Sequence, residues 1–65
     1  MKIVYDQETD SLTITLHDER IQESDEVRSG KIVDFDYDDK LVCIEILLAS
    51  QVVQKATEIQ FVVEH

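Results

Sequence analysis

Proline and tryptophan are absent from this chain, and glycine and cysteine occur once each, as Gly30 and Cys43. One glycine cannot build a phosphate loop, a dinucleotide-binding fingerprint or a nucleophile elbow, which use glycine for tight turns and close backbone approach. One cysteine excludes a disulfide within the chain, and no cysteine and histidine cluster stands at the spacing of a structural zinc site. A lone thiol fits a reducing cytoplasm. Positive charge is scarce as well: six Lys and Arg stand against fifteen Asp and Glu, a formal net charge of −9. Nucleic-acid binding needs the opposite sign, so no direct nucleic-acid partner is expected. The longest apolar run, residues 41–48 with Glu45 inside it, is far below the roughly 20 residues of a membrane span. The opening Met1-Lys2-Ile3-Val4-Tyr5-Asp6 is charged within six residues and lacks the apolar stretch of a signal peptide. A cytoplasmic protein without membrane contact is expected.

What is present is enough to fold once. With 65 residues, 43% hydrophobic and 32% charged, the chain reads as a single domain over residues 1–65. A chain this short buries only about 60% of the surface its unfolded form exposes, so 28 apolar residues give a thin core. With neither disulfide nor metal to supplement that core, oligomerisation is the remaining device. A homodimer or higher oligomer is therefore expected.

Charge and hydropathy divide the chain. Residues 1–40 hold twelve acids and five bases, a net of −7, leaving −2 for residues 41–65. In the acidic front, Leu12, Ile14 and Leu16 alternate with polar residues, and Ile3 and Tyr5 do the same, which predicts a hairpin around the polar connection 6–10. Val33, Phe35 and Tyr37, then Val42, Ile44 and Ile46, predict a second hairpin around Asp38-Asp39-Lys40. Residues 21–28 have room for a short polar strand, ended by a turn at Ser29-Gly30. In the apolar back, Leu48, Val52, Ala56 and Ile59 recur at helical spacing, with Ser50 as an alternative cap. Ile59, Phe61 and Val63 then alternate again, predicting a final strand, with one continuous helix to the end as the alternative. The fold class expected is α+β: an antiparallel β-meander of about four strands, one C-terminal helix packed on its apolar face, and that final strand.

One motif suggests a metal. Asp34, Asp36 and Asp38 occupy positions one, three and five of a calcium-binding loop, with Leu41 at eight and Glu45 at twelve. Asp39, however, stands where that loop needs glycine, and the flanks alternate like strands rather than helices. The reading that remains is a weak divalent-cation site on the acidic turn using Asp34, Asp36, Asp38 and Asp39, against the commoner solvated hairpin tip. Acid pairs such as Asp6 with Asp10, or Asp18 with Glu19, lack the buried pocket that tunes a general acid or base. Cys43 sits among apolar neighbours without a base, as a buried small hydrophobe would. His17 ends a strand and His65 ends the chain, neither with a second ligand at metal spacing. No catalytic residue and no cofactor is expected.

Several segments in order carry a resemblance: the opening Tyr5-Asp6, Asp10-Ser-Leu-Thr-Ile14, Glu23-Ser-Asp-Glu-Val27, Gly30-Lys-Ile-Val-Asp-Phe-Asp36 and Ile44-Glu-Ile-Leu-Leu-Ala-Ser50. Over about residues 1–50 the chain resembles the small prokaryotic domain-of-unknown-function family numbered twenty-two eighty-three. It departs at Phe35, where the family often has tyrosine, and at Asp39-Lys40, where a glycine-containing turn is common. The resemblance implies a β-meander with a C-terminal helix, no assigned catalytic residues, and an association of some relatives with antitoxin-like gene pairs. The function expected is thus a non-enzymatic, oligomeric protein-interaction module whose acidic front meets a basic protein partner. Its self-contact is expected in the apolar back half at Val52, Val53, Phe61 and Val62. Weak divalent-cation binding is the alternative.

Overall fold

Alternating apolar and polar residues fold here into one antiparallel sheet. The structure, a computed structural model, describes residues 1–63. Its strands are β1 (Lys2–Asp6), β2 (Ser11–Thr15), β3 (Glu23–Arg28), β4 (Lys31–Phe35) and β5 (Leu41–Leu47), followed by a single 3₁₀ turn at Ala49–Gln51. Their order across the sheet is β1-β2-β5-β4-β3. The longest and most apolar strand, β5, is thereby placed at the centre, paired antiparallel with β2 on one side and β4 on the other. The wholly exposed β3 takes an edge.

The β2–β5 register sets Leu12 opposite Ile46 and Ile14 opposite Ile44. Across the neighbouring ladders, Tyr5 stands opposite Leu12, Ile3 opposite Ile14, and Val33 opposite Ile44. Because side chains alternate between faces, these residues share one apolar face. The other face carries a polar row in which Ser24, Asp34, Cys43 and Thr15 stand opposite one another across β3, β4, β5 and β2.

Three expectations are corrected. There is no α-helix among the described residues, so the fold is all-β and not α+β. The stripe Leu48, Val52, Ala56 and Ile59 has helical spacing, but Leu48 and Lys55 adopt left-handed φ angles of 50° and 53° that interrupt it. Ser50 offers its hydroxyl to Asp10 rather than to a helix end, and a short segment containing β-branched Val52 and Val53 cannot offset the cost of helix nucleation. Second, the sheet has five strands and is not a meander, because β5 inserts between β2 and β4 and the β2–β3 connection must cross to the far edge. Third, residues 59–63 form no strand; His65 lies outside the described residues. No second layer of regular secondary structure covers the sheet among the described residues, and the extents of 34 × 33 × 18 Å are those of a slab.

Two turns depend on left-handed backbone. Gly30 has φ +76° in the β3–β4 connection, which glycine enters without steric cost. Asp39 takes φ +62° at the β4–β5 tip. The aspartate that replaces a glycine-containing turn thus adopts the glycine conformation, as Asp and Asn tolerate better than other side chains.

Candidate functional site

The four acidic candidates do not converge. Asp34 is 1% exposed on the polar row of the sheet, and Asp36 is 5% exposed at the base of the β4–β5 tip. Asp38 and Asp39 are exposed on the tip itself. Among the described residues no group of three or more His, Cys, Asp or Glu is placed to hold a metal ion. Asp36 is occupied otherwise. Its Oδ1 accepts the backbone N–H groups of Asp38 at 2.8 Å and Lys40 at 2.9 Å. His17 Nε2 donates to its Oδ2 at 3.1 Å. The Lys40 N–H, reinforced by His17 and the Asp38 N–H, holds the Asp36 carboxyl below its ordinary range against the opposing effect of burial. Asp36 therefore closes the hairpin tip and ties the β2–β3 crossover to it.

Asp34 has a different environment. Ser24 Oγ donates to its Oδ1, while its buried Oδ2 has no hydrogen-bond donor among the described residues. Glu45 lies on the same face of the adjacent strand, two residues beyond Cys43, which stands opposite Asp34. The nearby Asp34 carboxylate, an acceptor for a protonated Glu45, raises the Glu45 carboxyl above its ordinary value, and burial adds to this. Burial also raises the Cys43 thiol. With 6% exposure and acids beside it, this cysteine is an inert, protonated member of the sheet.

A third cluster joins the two ends of the fold. Asp10, at φ +53° after β1, accepts the Tyr5 hydroxyl on Oδ1 at 2.7 Å and the Ser50 hydroxyl on Oδ2 at 2.6 Å. The Ser50 N–H also donates to Oδ1 at 3.0 Å, and the Ala49 N–H to the Asp10 carbonyl at 2.9 Å. The Ser50 hydroxyl, then that of Tyr5, lowers the Asp10 carboxyl from its ordinary value. The opening hairpin is thereby pinned to the 3₁₀ turn after β5. The sequence places Asp6 and Asp10 together in a polar turn and offers Ser50 as an alternative helix cap; only the tertiary register brings Tyr5, Asp10 and Ser50 together.

The family described as Protein of unknown function (DUF2283) matches residues 2–50. The chain belongs to this DUF2283 family. The match spans β1 to the 3₁₀ turn and includes all three members of the Asp10 cluster, so the Tyr-Asp opening and the Ala-Ser ending of the matched segment meet in space. No curated protein and no solved structure matches the chain.

The remaining candidates lie beyond the matched segment. Val52, Phe61 and Val62 are 50%, 70% and 69% exposed, and Val53 is half-buried. Only Leu12, Val42, Cys43, Ala49 and Ala56 are buried hydrophobics among the described residues. Ile3, Tyr5, Ile14, Val33, Ile44 and Ile46, on the apolar face, are half-buried. No helix among the described residues is long and apolar enough to cross a membrane.

Proposed function

We propose that this chain is a non-enzymatic interaction module of the cytoplasm that works as a homo-oligomer and presents an acidic edge to a basic protein partner, in the manner of an antitoxin. The observation that carries the self-association is surface area. A compact monomer of 7.5 kDa exposes about 4,200 Å², whereas this chain exposes 5305 Å². The excess of about 1,100 Å² resembles the roughly 800 Å² that each partner contributes to a standard interface. Exposed Val52, Phe61 and Val62 and the half-buried apolar face of the sheet contribute to it.

Charge supports the second half of the reading. Asp18, Glu19, Glu23, Asp25 and Glu26, against Arg20 alone, give residues 18–26 a net of −4, and all six residues of edge strand β3 are exposed. An exposed edge offers unpaired backbone groups to an extended segment, and its acids select basic side chains. A fluorescent peptide alternating lysine and valine is expected to bind, with affinity falling about tenfold or more between low salt and about 0.5 M salt. Equal affinity at both salt concentrations, or equal binding of a glutamate and valine peptide, would overturn the acidic-edge reading.

A further inference from the structure

We infer that the outer edge of β1 pairs antiparallel with β1 of a second copy, about a two-fold axis through Val4, joining two five-stranded sheets into one of ten strands. The inference rests on the self-association proposed above and specifies its register. The sheet has two edges, β1 and β3, and among the described residues each pairs with one strand only. They differ in what a two-fold axis would bring together. Antiparallel self-pairing of β3 about Asp25 or about Glu26 sets that acid opposite the same residue of the second copy, and like charges directly opposite are destabilising. The β3 ladder is also irregular between Glu26 and Arg28, and such bulges guard an edge against further pairing.

Strand β1 has the opposite character. Its sequence Lys2-Ile3-Val4-Tyr5-Asp6 is electrostatically self-complementary when reversed. Centred on Val4, each Lys2 stands opposite the Asp6 of the second copy, each Ile3 opposite Tyr5, and Val4 opposite Val4. Two cross-strand ion pairs and three apolar pairs result, the kinds that stabilise an antiparallel ladder. A slip of two residues in either direction loses both ion pairs, so charge fixes the register. Ile3 and Tyr5 face the same side as Leu12 and Ile14, so the two apolar faces become continuous across the axis. The interface is isologous, as closed two-fold assembly requires.

Space for the incoming strand exists. An open groove of about 700 Å³ is lined by Val4, Tyr5 and Asp6 of β1 and by Ala56, Thr57 and Ile59 of the C-terminal segment. Val4 is 44% exposed and Ile59 is 47% exposed. The exposed Phe61 and Val62 follow directly on this groove. Edge pairing then supplies register, while the C-terminal segment and sheet face supply area.

The test is a charge reversal and its rescue. Lys2 makes no side-chain hydrogen bond or ion pair among the described residues, so Lys2→Glu leaves the monomer fold intact. Sedimentation equilibrium is expected to show self-association weakened about tenfold or more in Lys2→Glu, and restored to within about threefold in Lys2→Glu/Asp6→Lys. Asp6 Oδ1 also accepts the Glu8 N–H at 3.0 Å. Amide hydrogen exchange of the unmodified protein therefore serves as a second measurement, with β1 amides expected to gain protection as concentration rises. Unchanged association of Lys2→Glu together with concentration-independent β1 exchange would overturn the edge contact and leave oligomerisation standing. A wild-type chain that stays monomeric would overturn both.

Discussion

Asp36→Ala is expected to lower the thermal midpoint by on the order of 10 °C, the largest loss of any single polar substitution in this chain. The side chain is buried, and alanine leaves the Asp38 and Lys40 N–H groups without their acceptor and His17 without its partner. Each donor left without its acceptor costs on the order of 1 kcal/mol, and water at the exposed tip replaces the lost bonds only in part. Asp36→Asn separates geometry from charge, since an amide oxygen still accepts both N–H groups. The expected order of midpoints is wild type, then Asn, then Ala, measured by circular dichroism at pH 7. The pH dependence follows from the depressed Asp36 carboxyl. A carboxylate lowered on folding contributes stability above its unfolded value and loses it as pH falls through the folded value. The gap between wild type and Asp36→Asn should therefore close in strong acid. A midpoint for Asp36→Ala within about 2 °C of wild type would contradict the assignment of Asp36 as the clamp.

Glu45→Gln is expected to act in the other direction and raise the midpoint at pH 7 by about 3–6 °C. In the wild type the Asp34 and Glu45 carboxyls are diagonal neighbours on one face of β4 and β5, and Asp34 Oδ2 is buried without a donor among the described residues. A glutamine amide supplies that donor at every pH and removes the repulsion. The Glu45 carboxyl is raised on folding; its contribution to stability is therefore complete below its unfolded value and lost as pH rises through the folded value. The advantage of Glu45→Gln should thus be greatest at neutral pH and shrink toward pH 4. Other acids also discharge over that range, so the quantity to follow is the difference between variant and wild type. A variant less stable than wild type at pH 7, or a difference that grows in acid, would contradict a carboxyl pair in the polar row.

Much of the sheet is legible in the sequence, because period-two alternation reports directly which side chains share a face. Leu12, Ile14, Ile44 and Ile46 announce β2 and β5, and Ser29-Gly30 marks its turn correctly. Strand β3 was visible only as a short polar stretch, since an edge strand with both faces in water has no apolar alternation to display. The helical stripe misleads for a different reason. Spacing records where apolar residues fall, whereas the backbone after β5 is decided by a left-handed Leu48 and by Asp10, which accepts the Ser50 hydroxyl. Topology was illegible for a third reason: nothing local distinguishes β5 paired between β2 and β4 from β5 at the end of a meander. The acidic candidates show the same limit. Asp34, Asp36 and Asp38 satisfy a calcium-loop spacing, yet a buried row, a clamp and an exposed tip separate their roles.

Two consequences of that topology meet in the account of function. Without a covering helix the apolar face of the sheet remains half-open, and without an apolar partner the acidic β3 edge remains free. The proposed self-association rests on the first and the proposed choice of partner on the second. The most direct test of the central claim is the solution mass of the unmodified protein by size-exclusion chromatography with light scattering at micromolar concentration. The account predicts at least twice the 7.5 kDa of one chain, and a folded, stable monomer at that concentration would contradict it.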